Sequence, residues 1–179
     1  HPFEDGNGRL GRLLISLLIA RERALPYPVL YLSAFFERNR EQYYAHLLSV
    51  SQRGDWSEWI QFFLRGVSDQ AIDGVERAQL LVALRNRWAA ECQTARASVL
   101  LLKLMDNLFL NPFVNLARAR SILNVQAQSA QNNINQLIER HILVEVTGQK
   151  RNRVYAAKEV LRILDETPAF DPKSERDNP

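Results

Sequence analysis

Cysteine is nearly absent. With Cys92 alone in 179 residues, no disulfide can form within the chain, which suits a reducing cytoplasm. Long apolar runs are also lacking. The longest, LLISLLIA at residues 13–20, falls well short of the ~20 residues a membrane-spanning helix needs. Its charged flanks, and the lack of a clean small-residue cleavage site after it, exclude a secretory signal. No internal repeat and no low-complexity tract occurs, so neither a solenoid nor a composition-driven tail organises the chain. What remains is a hydrophobic content of 46% with 24% charged residues, ordinary for one or two soluble domains with real cores. Neither sign of charge dominates the whole, but the charges are unevenly placed. Residues 1–88 hold 11 Lys/Arg against 10 Asp/Glu, residues 96–158 hold 9 against 3, and residues 159–179 hold 3 against 6. The basic excess belongs to one segment.

Glycine is scarce too, seven in all, yet three stand within the opening HPFEDGNGRLGR. Gly6, Asn7 and Gly8 tolerate tight or left-handed backbone, so the chain can turn there with N–H groups facing inward. The run RLLISLLIA after it reads as helix. A glycine turn entering a helix N-terminus suits an anion, because unpaired N–H groups and the helix dipole converge there. Arg9 and Arg12, three apart, share a helix face and offer guanidinium forks to phosphate oxygens. Asp5 stands just before the turn, where a carboxylate can hold Mg2+ against phosphates. His1 is the one group in the loop that exchanges a proton near neutral pH.

These twelve residues resemble the signature of the Fic (Fido) family, His-Pro-Phe-x-Asp-Gly-Asn-Gly-Arg-x-x-Arg, at every specified position. The resemblance implies an AMP transferase that acts on a Tyr, Thr or Ser hydroxyl of a target protein, using ATP and Mg2+. By the same resemblance His1 deprotonates the hydroxyl and Asp5 holds the metal. Gly6, Asn7 and Gly8 form the anion hole, Arg9 and Arg12 hold phosphates, and Phe3 anchors the loop in the core. A variant of the family that transfers the terminal phosphate carries a lysine near position 8 and lacks the aspartate-glycine pair. Asp5 and Gly8 therefore point to AMP transfer. The stretch YLSAFFERNREQYYAHLLSVSQRGDWSEWIQFFLRGV also resembles the part of these proteins C-terminal to the signature, where the first of the paired tyrosines, here Tyr43, lies beside adenine.

Helix signals run through the first half. Helices are expected at residues 9–23 (ending before Pro26 and Pro28), 33–51 and 55–66, and from 69 to 91 or beyond, with Ser33 and Asp55 as caps and Gly54 and Gly66 as breaks. LLISLLIA is apolar on every side and is expected to be enclosed by protein. Trp56 and Trp59 are expected in the core, and His46 as an ordinary helix residue.

The second half changes character. The stretch ASVLLLKLMDNLF is an amphipathic helix broken at Asn111-Pro112, and Asn115 caps LARARSIL. After a turn at Asn124-Val125, QSAQNNINQLIER forms another helix, and ILVEVTGQKRNRVYAA forms a hairpin turning at Gly148. Helix, helix-turn-helix and hairpin together look like a winged helix. Two positions depart from the common form: Gln126 replaces a Ser/Thr cap, and His141 replaces the glycine that ends the recognition helix. Gln128, Gln131, Asn132, Asn135 and Gln136 offer amides to base edges, while Lys150, Arg151 and Arg153 offer charge to phosphates. Protein docking and homodimer formation are the alternative uses of such a module.

The expected fold is mainly α: the C-terminal part of an all-helical Fic fold, then a winged helix with a small β-hairpin. The expected divisions are residues 1–68 (Fic portion, catalytic loop onward), 69–96 (connecting helix), 97–166 (winged helix) and 167–179 (tail). The Fic fold places several helices and a target-aligning flap before the signature, so the chain is expected to be a fragment, inactive alone. Two functions compete: AMP transfer in the cytoplasm with no membrane partner, or a DNA-binding or regulatory winged helix joined to an inactive Fic portion.

Overall fold

The computed structural model describes residues 2–22, 31–93, 99–149 and 151–165. His1, the Pro26–Pro28 loop, Lys150 and the tail at 167–179 lie outside them. The fold is mainly helical, with a small antiparallel sheet, and divides into two compact units, His1–Glu76 and Arg77–Pro179.

The first unit contains α1 (Asn7–Arg21), α2 (Leu32–Arg38), α3 (Arg40–Arg53) and the first part of α4 (Trp56–Cys92). Its core is an aromatic cluster in which Leu32, Phe35, Phe36 and Phe62 are buried. Tyr43, Trp59, Phe63, Ile15 and Ile19 pack around them. Phe35 meets Phe62 at 5.1 Å between centroids, and Phe36 meets Tyr43 at 4.8 Å, within the range where rings attract beyond their area burial. Gly54, at φ 68°, ends α3 and returns its N–H to the Val50 carbonyl, and the Asp55 carboxylate accepts the Glu58 N–H to start α4.

Several local expectations are corrected. The helix expected from Ser33 is split at Asn39, whose backbone N–H and side-chain amide both donate to the Phe35 carbonyl. Its start is at Leu32, after a Tyr31 that makes no side-chain cap. Gly66 does not break the chain: α4 runs through it from Trp56 to Cys92. A Cβ there would stand 2.5 Å from a Phe35 ring carbon, so glycine is required by the close approach of α2. Trp56 is exposed, and only Trp59 joins the core. LLISLLIA is not enclosed among the described residues. Ile15 and Ile19 face the cluster, while Leu10, Leu13, Leu14, Leu17 and Leu18 are exposed.

Gly66→Ala is therefore expected to destabilise the first unit, although alanine is favoured over glycine in a helix by about 1 kcal/mol. The buried Phe35 ring, held against Phe36 and Phe62, has to move, and overpacking of this kind costs roughly 1–3 kcal/mol. Gly66→Val should be worse still. Thermal melts of the three proteins check this; an alanine variant more stable than wild type would contradict it.

The second unit begins within α4, where Leu84, Trp88 and Cys92 enter its core. It continues with α5 (Val99–Asn107), β1 (Phe113–Asn115), α6 (Leu116–Leu123), α7 (Ala127–Glu139), β2 (Val144–Glu145), β3 (Val154–Ala156) and α8 (Lys158–Asp165). The sheet order is β1-β3-β2, with Phe113 opposite Ala156 and Val144 opposite Ala156 on the other side. β1 was missed from sequence because three residues after a proline carry no legible alternation. Leu101, Leu104, Met105, Ile134, Leu137 and Ile142 fill the core between α5, α7 and the sheet. Asn115 caps α6 by accepting the Arg118 N–H at 2.8 Å. Gln126 precedes α7 without a side-chain cap, and His141 takes φ 57°, the left-handed conformation for which glycine is better suited. Burial raises the Cys92 thiol above its ordinary range, which keeps it protonated and inert.

Candidate functional site

Residues 2–6 form a bend that leads directly into α1. Gly6 takes φ 81°, and its carbonyl accepts the Leu10 N–H at 3.0 Å. Asn7 staples the loop: its Oδ1 accepts the Phe3 N–H at 3.1 Å and its Nδ2 donates to the Phe3 carbonyl at 2.6 Å. Asn7 thus shapes the loop with its side chain, closing a ring onto the Phe3 backbone. Phe3 does not anchor in the core; it is 57% exposed, and its backbone makes the staple.

The charged groups follow the glycines. A Cβ on Gly6 would meet the Arg9 guanidinium at 3.6 Å, and one on Gly8 would meet Arg12 at 3.5 Å. Each arginine therefore folds back over one glycine of the turn. Asp5 accepts the Gly6 N–H at 2.5 Å through one oxygen and faces Arg9 at 3.3 Å through the other. Both side chains of that pair are largely exposed, and such pairs contribute about 0–1 kcal/mol. An incoming phosphate or cation can separate them at little cost.

Arg12 reaches further. It is half-buried and lines a cavity of about 170 Å3 with Ser33, Glu37, Arg40, Tyr43 and Tyr44. The structure thus brings Arg12 and Tyr43, 31 positions apart in sequence, to one cavity built by α1, α2 and α3. Small-molecule pockets usually span roughly 300–1,000 Å3, so this one is smaller than a site that encloses a whole ligand. Tyr43 is held by Phe36 and by Trp59 at 5.7 Å, a fixed aromatic edge on the cavity. Arg40 escaped the sequence reading. It faces Glu37 at 3.7 Å and lies 5.8 Å from the Tyr44 ring centre. Its position three residues before Tyr43, one turn along the same face, was the available signal. His46 is half-buried, its ring 5.0 Å from Phe62.

In the second unit, Gln128, Asn132, Arg151 and Arg153 are all exposed. Gln131 and Gln136 are half-buried, so they present less of their amides than the helix pattern implied.

No family model matches the chain. Over 62 residues it is 39% identical to "Protein adenylyltransferase Fic" of Drosophila mojavensis, and equally to the protein of that name in Drosophila grimshawi. The aligned part is 35% of this chain and 11% of each relative, so the chain spans about a tenth of the length of the curated relatives it matches. The similarity to Fic adenylyltransferases is that of a segment. No helix among the described residues is long and apolar enough to cross a membrane.

Proposed function

We propose that the chain carries the nucleotide-handling loop of a Fic-type transferase that moves AMP from ATP to a protein hydroxyl in the cytoplasm. The observation that carries this reading is the stacking of Arg9 over Gly6 and Arg12 over Gly8 at the start of α1, with Arg12 and Tyr43 lining one cavity. The segment similarity to the two fly adenylyltransferases supports it.

Each residue then has a task. Arg12 and Arg9 hold phosphate oxygens, and the backbone N–H groups of the Gly6–Gly8 turn, that of Gly6 once released by Asp5, donate to the oxygens on which charge develops at the α-phosphate. Tyr43 offers an apolar edge to the base. The imidazole of His1 takes the proton of the attacking hydroxyl as its oxygen bonds to the α-phosphorus. The bond from that phosphorus to the α–β bridging oxygen breaks, and pyrophosphate leaves with the electron pair.

A magnesium ion fits the donor set. No group of three or more His, Cys, Asp or Glu that could hold a metal occurs among the described residues. Mg2+ needs no such cage, since it keeps several waters and takes one or two carboxylates besides substrate phosphates. Asp5 would hold it, being exposed and only weakly engaged by Arg9. When bound, the ion neutralises phosphate charge and orients the leaving pyrophosphate.

The exposed leucines of α1 belong to the same reading. Each large apolar side chain left in water forgoes about 1.5–3 kcal/mol, and we read Leu10, Leu13, Leu14, Leu17 and Leu18 as a face covered by further protein in the working enzyme. Residues 97–166 are read as a winged-helix domain, on the strength of their element order and their sheet order β1-β3-β2.

Equilibrium dialysis with ATP tests the assignment of Asp5. Wild-type protein should bind ATP more tightly with Mg2+ than with a chelator, and Asp5→Ala should lose that increment while keeping the metal-free affinity. An Asp5→Ala variant with an undiminished magnesium effect would remove Asp5 from the metal site.

A further inference from the structure

We propose that the second unit binds duplex DNA, with the exposed face of α7 against base edges and the arginines of α6 and the β2–β3 hairpin on phosphates. The proposal stands apart from the AMP-transfer reading, because every residue it uses lies beyond Arg77.

Charge is the first ground. The basic segment at 96–158 has nine Lys/Arg against three Asp/Glu. Of those three, Asp106 is taken by Arg85, in a two-point pair at 2.8 and 3.2 Å. Glu145 is taken by the hairpin itself: one oxygen accepts the Thr147 and Gly148 N–H groups and the Thr147 hydroxyl. Only Glu139, at the very end of α7, leaves a carboxylate on that helix. Arg120 and Arg151, by contrast, are exposed and pair with no carboxylate among the described residues.

The α7 surface is the second ground. From Leu116 to Leu143 no large apolar side chain is exposed, which is unlike a protein-docking helix with its apolar anchors. The outward stripe carries neutral amides instead. Gln128 donates to Asn132 at 3.1 Å and Gln131 to Asn135 at 2.9 Å, two i,i+4 pairs that hold each other's orientation. An amide so held still offers one donor and one acceptor, the combination that matches the adenine edge in the major groove.

Shape is the third. The hairpin is stiffened at its base, where the Val146 N–H donates to the Val154 carbonyl and the Val154 N–H to the Thr147 hydroxyl. It presents Arg151, Asn152 and Arg153 across a cleft of about 470 Å3 from Asn115 and Gln131, with Tyr155 in the wall. Arg120 lines a second cleft, at the start of α7, with Ser121, Asn124 and Gln126. Cations beside a strip of amides divide the work as DNA readers do: phosphate contacts set position and amides read bases.

Fluorescence anisotropy of a labelled mixed-sequence duplex with the 179-residue chain tests this across salt concentrations. Wild type should bind with an affinity that falls steeply with salt. The variant Arg120→Ala/Arg151→Ala/Arg153→Ala should bind more weakly, with a slope of log K against log salt shallower by about 0.9 for each phosphate no longer neutralised. Gln128→Glu/Asn132→Glu, at exposed positions whose packing is unchanged, should weaken binding tenfold or more at low salt. Lys103→Ala, exposed on α5 and outside both clefts, should change little. No duplex binding by wild type overturns the proposal, as does a Lys103→Ala loss equal to that of the triple variant. So does sedimentation in which the α7 and hairpin variants alter only self-association.

Discussion

Replacing His1 by alanine in the working enzyme, with its further protein present, is expected to lower the rate of AMP transfer by roughly 10²- to 10⁴-fold, the usual contribution of a positioned general base. A protein hydroxyl is a poor nucleophile while it keeps its proton, and histidine is the side chain type in the HPFEDGNGRLGR loop suited to take that proton. In the proposed mechanism the histidine acts on the attacking oxygen and not on the nucleotide, so Mg-ATP affinity should stay near wild type. Initial rates at saturating Mg-ATP, with dialysis on the same samples, separate the two effects. A variant retaining near-full rate would take the base role away from His1.

Arg12→Ala carries the second large effect, on the order of 10²-fold in kcat/KM, the cost of one missing donor to developing phosphate charge. Arg12 is favoured over Arg9 as the more costly loss. It is half-buried and lines the cavity that Tyr43 shares, whereas Arg9 lies in solvent against Asp5. Arg12→Lys restores charge but not the planar two-point fork, so it should recover only part of the rate. An alanine variant with unaltered kcat/KM would make Arg12 an ordinary surface residue.

Much of the local architecture could be read from residues with a single physical job. Gly54 in the left-handed region ends α3, Asn115 caps α6, Asn124 at φ 54° turns the chain, and Gly148 at φ 63° turns the hairpin. Each acts through its own backbone or a partner within four residues, so sequence spacing suffices. Where the outcome depends on contacts distant in sequence, the reading fell short. Gly66 resembles a helix stop until Phe35, 31 positions earlier, is found against it. Asn39 is a local exception: it splits α2 from α3 through bonds to Phe35 only four positions away, in a stretch whose apolar spacing looks unbroken. The arrangement of Arg9, Arg12 and Asp5 around the glycine turn was legible because all lie within eight residues. The cavity that joins Arg12 to Arg40 and Tyr43 was not, since it exists only after α1, α2 and α3 pack. Phe3 shows the opposite error: a family expectation placed it in the core, and the structure uses its backbone for the Asn7 staple.

ATP labelled separately at the α and γ positions distinguishes transfer of AMP by this loop from transfer of phosphate. The working enzyme, with its further protein present, is incubated with Mg2+, a heat-treated protein extract and one label or the other, and protein-bound label is then measured. AMP transfer should leave α-label on protein without γ-label, and His1→Ala should abolish it. Protein carrying γ-label without α-label would contradict AMP transfer.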